Sequence, residues 1–433
     1  MYREKIGELS KWKESKNRKP LIIRGARQVG KTWLLKEFGS TCYQNFVYVN
    51  FERMEQFQDL FLPDLNPKRI IETLELTLNV SISPKNTLIV FDEIQAVEKG
   101  LTALKYFCEE TPEYHIAAAG SLLGIAINKN VSFPVGKVNF IDLQPLSFNE
   151  FLMALGNERL ANALKNQRWD LPAGAAQKLK ELLPIYIYVG GMPEAVFEFS
   201  QTRDWEKVRD IQREIISTYE NDFAKHAPLE VVPRIRLVWQ NMAAQLAKEN
   251  KKFIYNVLRE GARAKDFEVA IQWLLDCGLL TKVPRISKPS MPLIAYADFM
   301  SFKLFMHDVG ILGAMAGLKP QLIVDGDAVF TEFKGALTEQ FVLQQLNTLK
   351  ECFIAYWAND RSTAEVDFVI QTNGKIIPIE VKAGENLQAK SFKFFYDKYK
   401  PKTAVRTSLA NYRQETWMTN VPLYMIENYF LAA

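Results

Sequence analysis

The chain is poor in the residues that build zinc sites and disulfide frameworks. It has 4 cysteines and 3 histidines in 433 residues. The cysteines (Cys42, Cys108, Cys277, Cys352) show no C-x-x-C spacing and the histidines stand apart from one another, which argues against both. Also missing is any uninterrupted apolar run of about 18 residues, the length a membrane-spanning helix needs. The opening MYREKIGELSKWKESKNRKP has no apolar segment of the kind a secretory leader carries. A cytoplasmic protein without membrane contact is therefore expected. A large excess of one charge is lacking too: 54 Lys and Arg against 50 Asp and Glu give +4, which neither requires nor forbids a nucleic-acid partner. The distribution is less even, because residues 1–40 carry 11 basic against 4 acidic residues, a local +7, and Lys382–Arg406 carry 7 against 2, a local +5. Such runs are solvated helix faces unless other features supply a ligand.

What is present is enough apolar material, 48% of residues against 24% charged, for a soluble chain of about 2–4 domains. In KPLIIRGARQVGKTWLLKEFG, residues Gly25-Ala26-Arg27-Gln28-Val29-Gly30-Lys31-Thr32 match G-x-x-x-x-G-K-[ST]. Leu21-Ile22-Ile23 suits a buried strand and Trp33–Phe38 has helical spacing, so the loop falls at a strand-to-helix turn. There Gly25 and Gly30 let backbone N–H groups turn toward phosphate oxygens, Lys31 reaches the β/γ-phosphates, and Thr32 offers a hydroxyl to Mg²⁺. An acidic partner is expected at the end of a second buried strand. Leu88-Ile89-Val90-Phe91-Asp92-Glu93 supplies it, with Asp92 holding Mg²⁺ through water and Glu93 polarising the attacking water. A third strand, His115–Ala119, runs into Gly120-Ser121, where Ser121 is either a sensor of the γ-phosphate or a helix N-cap.

This spacing of strands and acids resembles the AAA+ class of P-loop ATPases. With LQPLSFNEFL (143–152) and YVGGMPEAV (188–196), the chain is similar to a bacterial and archaeal ATPase family whose C-terminal half resembles a nuclease. That family places a Gly-Arg pair before Pro-Leu-Ser-Phe, and here the pair is Gly136-Lys137. Lysine keeps the charge but loses the planar fork of an arginine finger. The change bears on fast hydrolysis and leaves nucleotide binding untouched.

Residues 155–225 have helical periodicity broken at Gly190-Gly191-Met192-Pro193, which suits a lid over the nucleotide. Residues 226–315 pass from helices into LLDCGLLTKVPRI (274–286) and resemble a winged helix ending in FKLFMHDVGIL (302–312). Asp266, Glu268 and Asp276 on its candidate second helix would repel phosphates, so packing or protein contact is at least as good a role for it as DNA binding.

EVDFVIQTNGKIIPIEVKAG (365–384) carries Asn373-Gly374, a strong hairpin signal. With these two as the turn, every cross-strand pair sums to 747 and Asp367 faces Glu380. Strict alternation then puts Glu365, Asp367, Glu380 and Lys382 on one face, and Val366, Phe368, Ile370, Ile377, Ile379 and Val381 on the other. Opposed carboxylates about 5 Å apart repel unless a cation sits between them. Asp followed across a hairpin by Glu-x-Lys resembles the PD-(D/E)xK nucleases. That resemblance implies Mg²⁺ on Asp367 and Glu380, a water- or charge-positioning role for Lys382, and a further acid from a preceding helix, the place Glu339 fits. The competing reading is a solvated hairpin with Lys382 paired to Glu365 and Pro378 marking an edge strand. The basic helix over 389–402 suggests a phosphate-binding surface, its aromatics Phe392, Phe394, Phe395 and Tyr396 being core packing.

The expected architecture is a multidomain α/β chain: a P-loop AAA+-like parallel-sheet core (1–154), a helical lid (155–225), a winged-helix-like domain (226–315) and a nuclease-like α/β domain (316–433). ATP and Mg²⁺ are the expected cofactors. DNA or RNA, a protein partner and self-association remain open. The expected function is an ATPase coupled to a nuclease-like domain that acts on or binds nucleic acid, with a nucleotide-dependent binding switch and a chaperone-like ATPase as rivals.

Overall fold

The computed structural model describes residues 1–120, 134–248, 251–320, 331–359, 363–384 and 389–431. The chain divides into two compact units, Tyr2–Gln144 with Asp276–Leu279, and Pro145–Leu275 with Leu280–Ala433.

The first unit is built on β1 (Leu21–Arg24), β2 (Asn45–Asn50), β3 (Thr87–Asp92), β4 (His115–Ala119) and β5 (Asn139–Asp142). They form one parallel sheet in the order β2-β3-β4-β1-β5. Strands β3 and β4 are buried at every position. A parallel strand covered on both faces must be apolar throughout, which is why these two stand out as unbroken apolar runs. Register sets Asp92 beside Asn50 on one side and Ala119 on the other, and Ala119 beside Ile23. The helix Lys31–Cys42 leaves the carboxyl end of β1 and buries Leu34, Leu35 and Phe38. Its first turn and Asp92 therefore meet at the sheet edge where α/β folds bind ligands.

The second unit combines helices, among them Ala173–Val189, Pro193–Thr202 and Trp205–His226, with a mixed sheet. Its strands are β6 (Leu280–Ile286), β7 (Ala297–Met306), β8 (Phe353–Ala358), β9 (Glu365–Thr372), β10 (Lys375–Val381), β11 (Val405–Ser408), β12 (Arg413–Gln414) and β13 (Thr419–Pro422). The order is β12-β13-β11-β10-β9-β8-β6-β7. Strands β6 and β7, from the stretch expected to be a winged helix, thus join the C-terminal strands in one sheet through β6 and β8.

The hairpin turn forms with φ of 47° at Asn373 and 70° at Gly374. Thr372 to Phe368 pair with Lys375 to Ile379 in the expected register. Three details differ from expectation. The ladder stops at Phe368–Ile379, and the Asp367 carboxylate, instead of facing Glu380 across it, accepts the Val381 N–H at 2.8 Å. Alternation also breaks, because the pairing of β8 with β9 shifts between Ala355 and Trp357. Val366 and Val369, an odd number of residues apart, consequently share one core cluster with Phe392 and Phe395, while Phe368 packs on Phe305 with ring centroids 5.8 Å apart. Such a bulge re-aims side chains locally. Finally, β10 is an interior strand. Its ladder to β11 begins at Ile379, so the N–H that Pro378 lacks falls just outside it.

The segments around Pro145, Gly190 and Asp308 converge on one buried network. The Gly191 N–H and Gln344 Nε2 donate to Asp308 Oδ2 at 2.6 and 3.0 Å, and the Ile311 N–H donates to Oδ1 at 3.0 Å. The Leu146 N–H donates to the Gly191 carbonyl at 2.7 Å and the Tyr186 hydroxyl to the Leu146 carbonyl at 2.5 Å. A Cβ on Gly191 would lie 2.2 Å from the Leu146 oxygen. These sequence landmarks hold elements together through backbone groups and the Asp308 carboxylate.

Candidate functional site

The 25–32 loop has the backbone of a phosphate cradle. Gly25, Gln28 and Gly30 take positive φ of 149°, 66° and 93°. A Cβ on Gly25 would come within 2.3 Å of the Leu143 carbonyl oxygen, so that position needs glycine for conformation and for space. Ala26 and Val29 are buried, Arg27 is half-buried and Gln28 is exposed. Lys31 is buried and folds back, its Nζ donating to the carbonyls of Gly25 at 2.9 Å and Ala26 at 2.7 Å. Burial pulls its pKa down to about 8, against the pull of Glu93 and Asp92. An anionic phosphate in the loop would stabilise the ammonium in turn.

Thr32 and Asp92 come together across β4, whose alanines leave room between them. The Thr32 hydroxyl donates to Asp92 Oδ2 at 2.8 Å. Tyr48 donates to the same oxygen at 2.7 Å and Asn50 Nδ2 approaches it at 3.5 Å. Burial, then the bond to Asp92, pushes the Tyr48 hydroxyl up to about 12, so it stays protonated. A hydroxyl beside a carboxylate at a strand end is a hard-oxygen pair that suits Mg²⁺. Glu93 follows in a left-handed conformation, φ 51°, and its Oε2 accepts from Gln95 Nε2 at 2.6 Å. A non-glycine residue held there costs energy, and here the turn aims the second acid out of the strand.

Arg3 braces the loop from outside the motif, donating to the Val29 carbonyl at 2.9 Å and the Gln144 carbonyl at 2.5 Å. The peptide Asp276–Leu279 also belongs to this unit. A Cβ on Gly278, itself at φ 71°, would lie 3.3 Å from the Ala26 nitrogen. Arg3, Tyr48, Asn50, Gln95 and Gly278 carry no sequence signal, since only the fold brings them to the motif. Lys137, at the place of the family's arginine, pairs with Glu109 at 2.9 Å on the surface. Ser121 lies outside the described residues.

In the second unit Glu339 and Glu365 meet at Lys303, Asp367 bonds the backbone next to Glu380, and each of the three glutamates bears a lysine. Lys251 bonds Glu339, Lys303 bonds Glu365 and lies 3.8 Å from Glu339, and Lys382 pairs with Glu380 at 2.7 Å. The alternative pairing of Lys382 with Glu365 is not found. Burial works to raise the Glu339 pKa, but Lys251 and Lys303 hold it below the ordinary carboxylate value. Burial, then Glu339 and Glu380, drives Asp367 well above it. Burial also raises Glu380 against the pull of Lys382. Among the described residues no three His, Cys, Asp or Glu side chains are arranged to hold a metal ion. Of the acids implied as Mg²⁺ ligands, Glu339 and Glu380 are thus turned to lysines and Asp367 to a backbone N–H. Lys251 and Lys303, remote in sequence, gave no warning of this.

Sheet order, P-loop and the Thr32–Asp92 pair define a P-loop nucleotide-binding domain. In sequence, residues 17–152 match the AAA domain family, and two domains of unknown function follow, DUF8612 over 180–322 and DUF4143 over 334–426. Residues 17–152 are therefore similar to AAA domains. No curated protein matches it. Among solved structures it is similar to the Walker-type ATPase of Pyrococcus abyssi, with 14% identity, 72% of this chain and 95% of that one covered and a TM-score of 0.45. It is also similar to the Thermotoga maritima RuvB Holliday junction branch migration motor (14%, 66% and 90%, 0.31). A third is the Aeropyrum pernix Orc1 protein in complex with DNA (13%, 73% and 93%, 0.28). No helix among the described residues is long and apolar enough to cross a membrane.

Proposed function

We propose that the chain is a Mg²⁺-dependent ATP hydrolase that switches a nuclease-like C-terminal module between states that bind nucleic acid differently. The observation that carries the ATPase half is the Thr32–Asp92 hydrogen bond of 2.8 Å at the mouth of the phosphate loop. Thr32 and Asp92 would hold Mg²⁺, which supplies neutralisation of phosphate charge when bound. Lys31 leaves its two carbonyl acceptors for the phosphates, and Glu93 orients the attacking water. The Asp276–Leu279 peptide, packed with the P-loop unit, continues directly into β6, which offers a covalent route from nucleotide to sheet. The winged-helix reading of 226–315 remains part of this proposal.

For the C-terminal module the lysine-paired acids favour binding over cleavage. The nucleic-acid half rests on the basic helix Lys390–Tyr399, whose Lys393 and Lys398 lie over the rings of Trp417 and Trp357 at 5.0 and 5.6 Å. Wild type, Glu93→Gln and Glu380→Ala are assayed for Mg²⁺-dependent ATP hydrolysis and for filter binding of single-stranded DNA, duplex DNA and RNA across a salt series. Hydrolysis lost only in Glu93→Gln, with binding that weakens steeply with salt, is expected. A salt-independent response would remove the phosphate contacts and turn the search to a protein partner. Stimulation of hydrolysis by unfolded protein instead of nucleic acid would point to the chaperone-like alternative.

A further inference from the structure

The acid cluster of the second unit is the feature that the nucleotide chemistry leaves unused. Lys303 stands on β7 at 0% exposure, bonded to Glu365, within 3.8 Å of Glu339 and 4.9 Å from the centroid of the Tyr356 ring. Lys251 bonds the other oxygen of Glu339, and Lys382 bonds Glu380. Three ammonium groups therefore serve the three glutamates, and the Val381 N–H serves the fourth carboxylate, Asp367. One buried oxygen is left over: Glu339 Oε2 has no hydrogen-bond donor, although Glu339 is only 7% exposed.

We infer that Lys251 and Lys303 stand where a PD-(D/E)xK enzyme places its divalent cation, so that side chains of this chain hold the acid cluster closed to metal. The inference rests on the nuclease-like reading of this sheet and deepens it. A buried carboxylate needs a positive partner, and a tethered ammonium already within bonding distance meets that need without the loss of a metal's hydration shell. A divalent ion entering the same space would sit against like charges at hydrogen-bonding range, where the repulsion is least screened. Of the two lysines Lys251 is the displaceable one. Its side chain is 12% exposed against 1% for Lys303, and its departure would free Oε1 of Glu339, leaving Lys303 3.8 Å from Oε2.

The test is Mn²⁺ binding to the nucleotide-free full chain, read by loss of the free-ion electron paramagnetic resonance signal, in wild type, Lys251→Met, Lys251→Arg and the double variant Lys251→Met with Glu380→Gln. Wild type and Lys251→Arg, which keeps the cation, are expected to leave Mn²⁺ free. Lys251→Met is expected to bind it at least tenfold more tightly, and the double variant to lose that gain. Binding by wild type that Glu380→Gln abolishes would overturn the inference, as would a folded Lys251→Met as inert as wild type. Should circular dichroism show Lys251→Met unfolded, Lys251→Gln takes its place with the same expectation. Failure of the nuclease-like reading itself shows elsewhere, as absent salt-sensitive nucleic-acid binding, so the two failures are distinguishable.

Discussion

Asp92 Oδ2 is approached by Thr32, Tyr48 and Asn50 at 2.8, 2.7 and 3.5 Å, and the donors have different fates when nucleotide enters. On the proposed ATPase reading Thr32 turns to the metal, whereas Tyr48 stays and fixes the carboxylate. Tyr48→Phe is therefore expected to slow hydrolysis several-fold with ATP affinity nearly unchanged, the loss of one hydrogen bond being worth about 1 kcal/mol; kcat and Kd measured separately check this. Lys31→Ala removes charge-assisted bonds to phosphate, and about tenfold to a hundredfold weaker ATP binding is expected by calorimetry. A third residue effect concerns pH. Burial, helped by Arg18 and Lys13, holds His115 down to about 4, against 6.5 unperturbed, with Tyr43 hydrogen-bonded to its Nδ1 at 2.6 Å. Between those values the unfolded chain binds the extra proton. The contribution to stability is thus complete above pH 6.5 and is lost as pH falls toward 4. Melting temperature should fall across that window more steeply in wild type than in His115→Gln, which cannot titrate.

At the scale of elements, the helix Thr331–Leu346 shows how far periodicity reaches. Leu337, Phe341, Val342 and Leu346 are buried as their spacing implies, but so are Gln340, Gln344 and Gln345, which polarity alone would place outside. Gln340 exchanges two bonds with the Met306 backbone, Gln344 accepts from the Val309 N–H, and Gln345 accepts from the Phe148 N–H. These glutamines satisfy backbone groups at strand and helix ends that the core would otherwise leave unpaired. Replacing Asp308 by Ala strands the Gly191 and Ile311 N–H groups together and is expected to cost about 3 kcal/mol or more in denaturant unfolding. Gly191→Ala forces a Cβ into the Leu146 carbonyl and should cost a similar amount, while a surface control such as Lys207→Ala stays within about 0.5 kcal/mol. The hairpin marks the limit of such inference. Its turn and first five pairs follow from Asn-Gly and alternation, but the bulge at Asp367 arises from pairing with β8, a strand whose partner local sequence does not name.

For the whole molecule, division into two units separates what ATP stabilises from what the acid cluster stabilises. ATP with Mg²⁺ at about a hundred times Kd should raise the stability of the P-loop unit by about 2.7 kcal/mol. The shift should shrink to about 0.4–1.4 kcal/mol in Lys31→Ala at the same ATP concentration and persist in full in Glu380→Gln; scanning calorimetry of the full chain reads both.

The sequence by itself determined the phosphate-loop motif, because a P-loop is local: eight consecutive residues between a strand and a helix contain the backbone amides, the lysine and the hydroxyl, and the buried run before Asp92 marks its partner. Only the tertiary structure decided the state of the second acid set. Glu339, Asp367 and Glu380 are each legible as acids near a hairpin or on a helix, but their charge balance depends on Lys251 and Lys303, brought in from remote segments. Electrostatics acts through space, and a pattern of neighbours along the chain says nothing of which ammonium a fold will deliver to which carboxylate.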